Sequence, residues 1–285
     1  MPSLSMPRAS ATSDALREDF VRAGWPYTRR VQPAAFFDLD RTLLRRSSAL
    51  ALAGGFREHG VIGRGQLAKA AAWQLLFAAR GASAETVRKA AEDGLMILKG
   101  FGVAELRGLV RDAMEPVLKP LVYQEALALV EQHRGRGEPV YIVSATLQEI
   151  VEELANELGF DGAVGSTCEI ADGVYTGASL RACHGAGKAA AIRDLAAAHG
   201  YALAASTAYS DSHTDLPFLE AVGYPVAVNP DRELRRIAEE RGWDVVAFAE
   251  LAYPPGPRRL NPALVGIPLV LGAGAAMWAA RRRAA

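Results

Sequence analysis

Two aspartates one residue apart, Asp38 and Asp40, close the apolar run Ala34-Ala35-Phe36-Phe37, and Thr42 follows two positions on. A short apolar run of this kind reads as a buried strand in the middle of a sheet. Its C-terminal end is where open α/β sheets bind ligands. Positions i and i+2 of a regular strand share a face, and just past the strand end the backbone can bend. One carboxylate can then attack an electrophile while the other moves a proton. Carboxylates this close repel each other unless a hard cation such as Mg²⁺ sits between them.

The same kinds of residue close two other apolar runs. Pro139-Val140-Tyr141-Ile142-Val143 ends in Ser144-Ala145-Thr146, and Ser206 to Tyr209 ends in Ser210-Asp211-Ser212-His213-Thr214-Asp215. Lys188 opens a helix behind Gly185 and Gly187, where free N–H groups and the helix dipole favour an anion. Parallel strands point their C-terminal ends the same way, so these groups can converge on one crevice. Carboxylates for a cation, with a hydroxyl and an ammonium for an oxyanion, make a Mg²⁺–phosphate site.

The elements that must position these groups follow from the pattern. Helices are expected at Leu121 to His133, Glu149 to Leu158, Lys188 to His199 and from Asp231 through Glu240. Further strands are expected at Pro225 to Val228 and Trp243 to Phe248, with a hairpin turning on Asp172-Gly173. Strand and helix alternate, which predicts an α/β fold: a Rossmann-like, doubly wound parallel sheet with helices on both faces. From 48 to 120 the pattern is helical and Ala-rich, with helices at Gln66 to Ala79, Ala84 to Leu98 and Val103 to Ala113. This block reads as an inserted helical cap, closed by Pro116 and Pro120. The organisation is then a mobile leader (1–30), a core (31–47 and 121–250), the cap, and a tail (258–285).

Composition narrows the function. The chain has 32 basic and 32 acidic residues, so it shows no electrostatic footprint for nucleic acid. Cys168 and Cys183 have neither zinc-type spacing nor a disulfide framework, and a reducing cytosol suits them. No charged residue occurs from Leu260 to Ala280, while Arg258-Arg259 precede the run and Arg281-Arg282-Arg283 follow it. At a rise of about 1.5 Å per residue this tail is roughly 30 Å long, enough to span a bilayer. It is expected to hold a cytoplasmic catalytic domain at the inner face of the cell membrane. A helix lying in the leaflet avoids translocating the three arginines. The other reading is a helix packed on the core or on a second subunit.

The segments Phe37-Asp38-Leu39-Asp40-Arg41-Thr42, Val143-Ser144-Ala145-Thr146, Gly187-Lys188 and Ser210-Asp211-Ser212-His213-Thr214-Asp215, in that order, resemble the four motifs of the haloacid dehalogenase superfamily. Within it, the chain is similar to the phosphoserine phosphatase-like hydrolases. The resemblance implies an aspartyl-phosphate on Asp38, with Asp40 as general acid and then general base. It implies Mg²⁺ held by the side chains of Asp38 and Asp211 and the backbone C=O of Asp40. Ser144, Lys188 and Thr42 would bind the phosphoryl oxygens, and Asp215 would support the metal waters or Lys188. The substrate would be a small or lipid-derived phosphomonoester. Two positions depart from the phosphoserine phosphatases: Ser47 stands near their substrate-binding cap Glu, and Gly94 near their cap Arg. Arg41 stands where many relatives have Gly; it meets substrate charge or faces water. Cys183 reads as a loop residue, and His213 as facing solvent or substrate. A phosphotransferase or phosphomutase on the same chemistry, and a catalytically silent membrane-bound scaffold, are the other readings.

Overall fold

A computed structural model describes residues 32–58 and 98–253. Strand β1 (Ala35–Phe37) leads to α1 (Ser48–Glu58); α2 (Val103–Ala113) runs into a π-helical turn (Met114–Leu118) and a 3₁₀ turn (Lys119–Leu121). Then come α3 (Gln124–Gly135), β2 (Val140–Leu147), α4 (Gln148–Leu158), β3 (Gly162–Ala171) and β4 (Val174–Arg181). The chain continues with α5 (Ala186–His199), β5 (Thr207–Ser210), α6 (Leu216–Leu219), β6 (Tyr224–Val228), α7 (Arg232–Arg241) and β7 (Asp244–Val246). The strands form one seven-stranded sheet in the order β4-β3-β2-β1-β5-β6-β7. Every pairing is parallel except β3 with β4.

Period-two alternation decides which helix covers which face. Phe37, Val140, Ile142, Tyr209, Val226 and Val228 join α3 through Ala126 and Val130, and α4 through Ile150, Val151 and Leu154. Phe36, Tyr141, Val143, Ala208 and Ala227 face the other way, onto Ala191 and Ile192 of α5, Phe218 and Leu219 of α6, and Leu234 and Ala238 of α7. Each large apolar side chain so buried is worth about 1.5 to 3 kcal/mol. Strand β1 is fully buried on both faces, so the turn that follows it is fixed at the centre of the sheet edge. Beneath that edge Phe37 stacks on Tyr209 at 4.3 Å. The Tyr209 hydroxyl meets His133 Nε2 at 2.7 Å, while His133 Nδ1 is against Glu138. Burial lowers the His133 pKa, which favours a neutral imidazole.

Among the described residues the expected elements form within a few residues of their predicted bounds, with three differences. Strand β3 begins at Gly162, well before the hairpin that patterning indicates, and its first half pairs parallel with β2. Pro116 does not stop the helix; the ladder widens into the π turn that contains it, because a proline lacks the N–H that a tight α turn would need. Helix α3 begins only at Gln124, since Val122 and Tyr123 are bridged to Leu44 and Leu251. The hairpin turn uses left-handed backbone at Asp172 and Gly173, as that dipeptide predicts. Asp231 caps α7, its carboxylate accepting the Leu234 N–H at 2.8 Å. The leader, the cap helix at Gln66 to Ala79, the expected helix at Ala84 to Leu98 save for Leu98 itself, Gly94 and the hydrophobic tail lie outside the described residues. Among the described residues no helix is long and apolar enough to cross a membrane.

Candidate active site

Asp38 extends β1 by one bond, its N–H donating to Tyr209 O at 2.9 Å. The chain then turns sharply. The N–H groups of Leu43 and Leu44 both donate to Leu39 O, at 3.0 and 2.8 Å. Arg41 takes a φ of +68°, a left-handed conformation that suits Gly better than a residue with a Cβ. The two aspartates therefore do not share one face of a regular strand, as simple alternation predicts. The bend separates them and returns Thr42, whose hydroxyl donates to Asp38 Oδ2 at 3.0 Å.

Lys188 reaches the same carboxylate from α5. Its Nζ lies 2.5 Å from Asp38 Oδ1 and 2.6 Å from Asp215 Oδ2. Close backbone packing sets this approach: a Cβ on Gly187 would lie 2.1 Å from the Ala182 carbonyl oxygen. Lys188 is buried and rests over the Phe218 ring at 5.5 Å. Asp215 also accepts the Ser210 hydroxyl at 2.7 Å. Burial works against the Lys188 ammonium, but Asp38 and Asp215 outweigh it and hold its pKa above the ordinary value.

Asp40 points toward the start of α1. Its Oδ1 accepts the Ser48 N–H at 2.7 Å, and its Oδ2 takes the Ser47 hydroxyl at 3.4 Å. Ser48 Oγ meets Thr146 Oγ1 at 3.1 Å, and the Thr146 N–H donates to Ser144 Oγ at 3.1 Å. Asp211 ends β5, buried, with Arg41 Nε 3.4 Å from its Oδ2. Burial pushes Asp38 up to about 6, with Lys188 opposing and Asp215 adding to the rise. Burial and then the Asp38 charge push Asp211 up to about 7, against the pull of Arg41. Asp40 is raised by burial and drawn back by Ser48.

The residues present fit a hard cation. Asp38 and Asp211 are buried carboxylates, and the Asp38 charge raises the Asp211 pKa, so a positive charge beside them would be favoured. Arg41, 64 % exposed, lays its guanidinium against Asp211. Among the described residues no cluster of three or more His, Cys, Asp or Glu side chains is set to hold a metal. The donor set is smaller: two carboxylates, with the Asp40 carbonyl oxygen just beyond Asp38 in sequence. That suits Mg²⁺, which keeps several of its waters and takes only one or two carboxylates.

Of the residues singled out from sequence, Asp38, Thr42, Lys188 and Asp215 are joined directly by hydrogen bonds. Asp211 is coupled to them by charge. Ser144 bonds to none of them; it is tied through Thr146 and Ser48 to Asp40. Sequence reasoning missed Ser48 and Ser210. Ser210, a small polar residue closing a buried strand beside Asp211, carried a usable signal; Ser48 carried none. Cys183 is fully buried and burial pushes its thiol up to about 11, which leaves it protonated and unreactive. His213 is half-exposed and turned onto Asp231, its Nδ1 2.8 Å from Oδ2.

The family model for haloacid dehalogenase-like hydrolases matches residues 35–220. A probable phosphatase of Mycobacterium tuberculosis is 40 % identical over 261 residues, covering 89 % of this chain and 91 % of its own length. A phosphoserine phosphatase of the same organism is 36 % identical over 250 residues, covering 85 % of this chain and 77 % of its own. A crystal structure of a protein of unknown function from Bordetella pertussis Tohama I superposes with a TM-score of 0.68 at 31 % identity, over 76 % of this chain and 98 % of that one. The chain belongs to the haloacid dehalogenase-like hydrolases, and within them it is a phosphatase similar to the phosphoserine phosphatases.

Proposed function

We propose that the protein is a Mg²⁺-dependent phosphomonoester hydrolase that works through an aspartyl-phosphate on Asp38. The observation that carries this reading is the Asp38–Lys188–Asp215 cluster, a buried nucleophile oriented by an ammonium and a hydroxyl, with a second carboxylic acid close by in sequence. Asp38 attacks phosphorus, the bond to the leaving oxygen breaks, and Asp40 gives that oxygen its proton. Water then attacks the phosphorus of the acyl phosphate while the Asp40 carboxylate takes a proton from that water. Phosphate departs and the Asp38 carboxylate is restored. Lys188 neutralises the nucleophile and the incoming oxyanion, Asp215, itself fixed by the Ser210 hydroxyl, holds Lys188 in place, and Ser144 donates to the phosphoryl group. Asp38, Asp211 and the Asp40 carbonyl would hold Mg²⁺, which when bound would supply positive charge against the phosphoryl oxygens.

The substrate is a small phosphomonoester. Ser47, near the place of the amine-holding Glu of phosphoserine phosphatases, is engaged with Asp40 here, which argues against free phosphoserine. The uncharged run from Leu260 to Ala280 supports a catalytic domain held at the inner membrane face, where lipid-derived phosphates are concentrated. Turnover of p-nitrophenyl phosphate, with inorganic phosphate as product, tests the core of the reading. Activity should vanish with EDTA and return with Mg²⁺. Undiminished turnover in EDTA would exclude the cation.

A further inference from the structure

We infer that Ser48 is a positioning residue: the N-terminus of α1, the helix that carries the chain from the core into the cap, aims the carboxyl group of Asp40. The inference rests on the reading of Asp40 as general acid. Ser48 is the first residue of α1, so its N–H is one of those a helix leaves without an internal partner. Ser47 O accepts the Ala51 N–H at 3.0 Å, the first bond of the helix. The capping acceptor comes from elsewhere in the chain: Asp40 Oδ1, eight residues earlier, takes the Ser48 N–H at 2.7 Å. Asp40 thus caps α1, and the positive end of the helix dipole holds its carboxylate.

The other side of Ser48 is fixed as well. The residue is fully buried. Its hydroxyl meets Thr146 Oγ1 at 3.1 Å, and Thr146 is tied to Ser144 Oγ by its own N–H. A chain of polar contacts therefore runs from the end of β2, through Ser48, to Asp40. Among the described residues Ser47 and Ser48 are the hydrogen-bond partners of the Asp40 side chain. They stand where the chain leaves the core for α1, so the place of that helix and the aim of the acid are one variable. A displaced α1 leaves Asp40 without its anchor, and an anchored α1 presents it.

Aiming the acid matters only when the leaving oxygen needs its proton. As the P–O bond breaks, an alkoxide must be protonated by Asp40, whereas p-nitrophenolate departs as a stable anion. The leaving group therefore separates a positioning defect from general damage. Ser48→Pro removes the N–H at a helix position where proline is well tolerated. Ser48→Ala and Thr146→Val cut the hydroxyl link and leave the N–H. The assay is kcat/KM, which reports phosphoryl transfer to Asp38, for glycerol phosphate and for p-nitrophenyl phosphate. Ser48→Pro should lower the ratio of the two by about 10- to 100-fold, within the range that acid–base help supplies. Ser48→Ala and Thr146→Val should lower it severalfold, and Ser48→Thr should restore it. Equal losses on both substrates, or no loss on either, would overturn the inference. Should the proline variant fail to fold, Ser48→Ala and Thr146→Val decide alone, and an unchanged ratio in both refutes it. Asp40→Asn is the control: if it too loses both substrates equally, the general-acid reading fails and takes the inference with it. A selective loss in Asp40→Asn without one in the Ser48 variants refutes the positioning role only.

Discussion

Replacing Asp211 with Asn should stabilise the metal-free protein at alkaline pH. Asp38 and Asp211 are each at most 5 % exposed and lie close enough to repel. From an ordinary 3.8, Asp38 is pushed up to about 6 and Asp211 up to about 7. A carboxyl whose folded pKa exceeds its unfolded value keeps its proton longer in the folded state. The folded protein therefore binds more protons between about pH 4 and 7, and its stability falls as pH rises through that window before levelling off. Each pKa unit is worth about 1.4 kcal/mol. Burial is the first cause of both shifts and the clustered carboxyls titrate together, so the combined effect is on the order of 3 kcal/mol rather than their sum. Asn removes the Asp211 charge and strands nothing, since Arg41 is solvated. The assay is urea unfolding in EDTA at pH 5 and pH 8, repeated with Mg²⁺ at pH 8. The wild type should be less stable at pH 8 than at pH 5 and should recover with Mg²⁺. Asp211→Asn should match it at pH 5, exceed it at pH 8 by about 1 to 3 kcal/mol, and ignore Mg²⁺. A variant destabilised equally at both pH values would show that the carboxylate is a structural prop, not a strained cation ligand.

Lys188→Met should abolish turnover and cost about 3 to 5 kcal/mol of stability, because it leaves Asp38 and Asp215 buried without their ammonium; thermal unfolding and turnover check both. Arg41→Gly should fold at least as well as wild type, gaining about 1 kcal/mol from relief of the left-handed backbone. Titration calorimetry should show it binding Mg²⁺ more tightly, since no guanidinium then competes at Asp211. Free L-phosphoserine should have a lower kcat/KM than the best of a panel of other phosphomonoesters, and a first rank for it would restore an amine-holding role that Ser47 does not offer.

Much of the site was legible because its parts are local. An apolar run ending in Asp38 and Asp40 needs no tertiary information to be read, nor do the Gly187-Lys188 helix start or the Ser210 to Asp215 strand end. The parallel sheet followed from the alternation of strand and helix. What stayed hidden depends on contacts between segments. The first half of β3 is built of small residues without a clear apolar period, and it is specified by β2 beside it. Its register slips between Val143 and Leu147, where Gly165 packs so close to the Thr146 carbonyl that a Cβ would lie 2.6 Å away. The bond from Ser48 to Asp40 exists because Arg41 turns the chain through left-handed backbone, which an arginine does not announce. Pro116 marked the end of a helix by local rules, yet a widened turn absorbs it. Ser47 was singled out for what it lacks as a substrate ligand; its structural partner, Asp40, lies across the bend that follows β1.

The central claim is that Asp38 carries the phosphoryl group. Asp40→Asn should form that intermediate on an aryl phosphate and hydrolyse it slowly, so acid quenching after mixing with p-nitrophenyl phosphate and Mg²⁺ should trap it. Peptide mass spectrometry should find one phosphoryl group on the peptide that contains Asp38, labile to hydroxylamine and absent when Asp38 is also changed to Asn. A phosphoryl group on any other residue, or its survival in the double variant, would contradict the account.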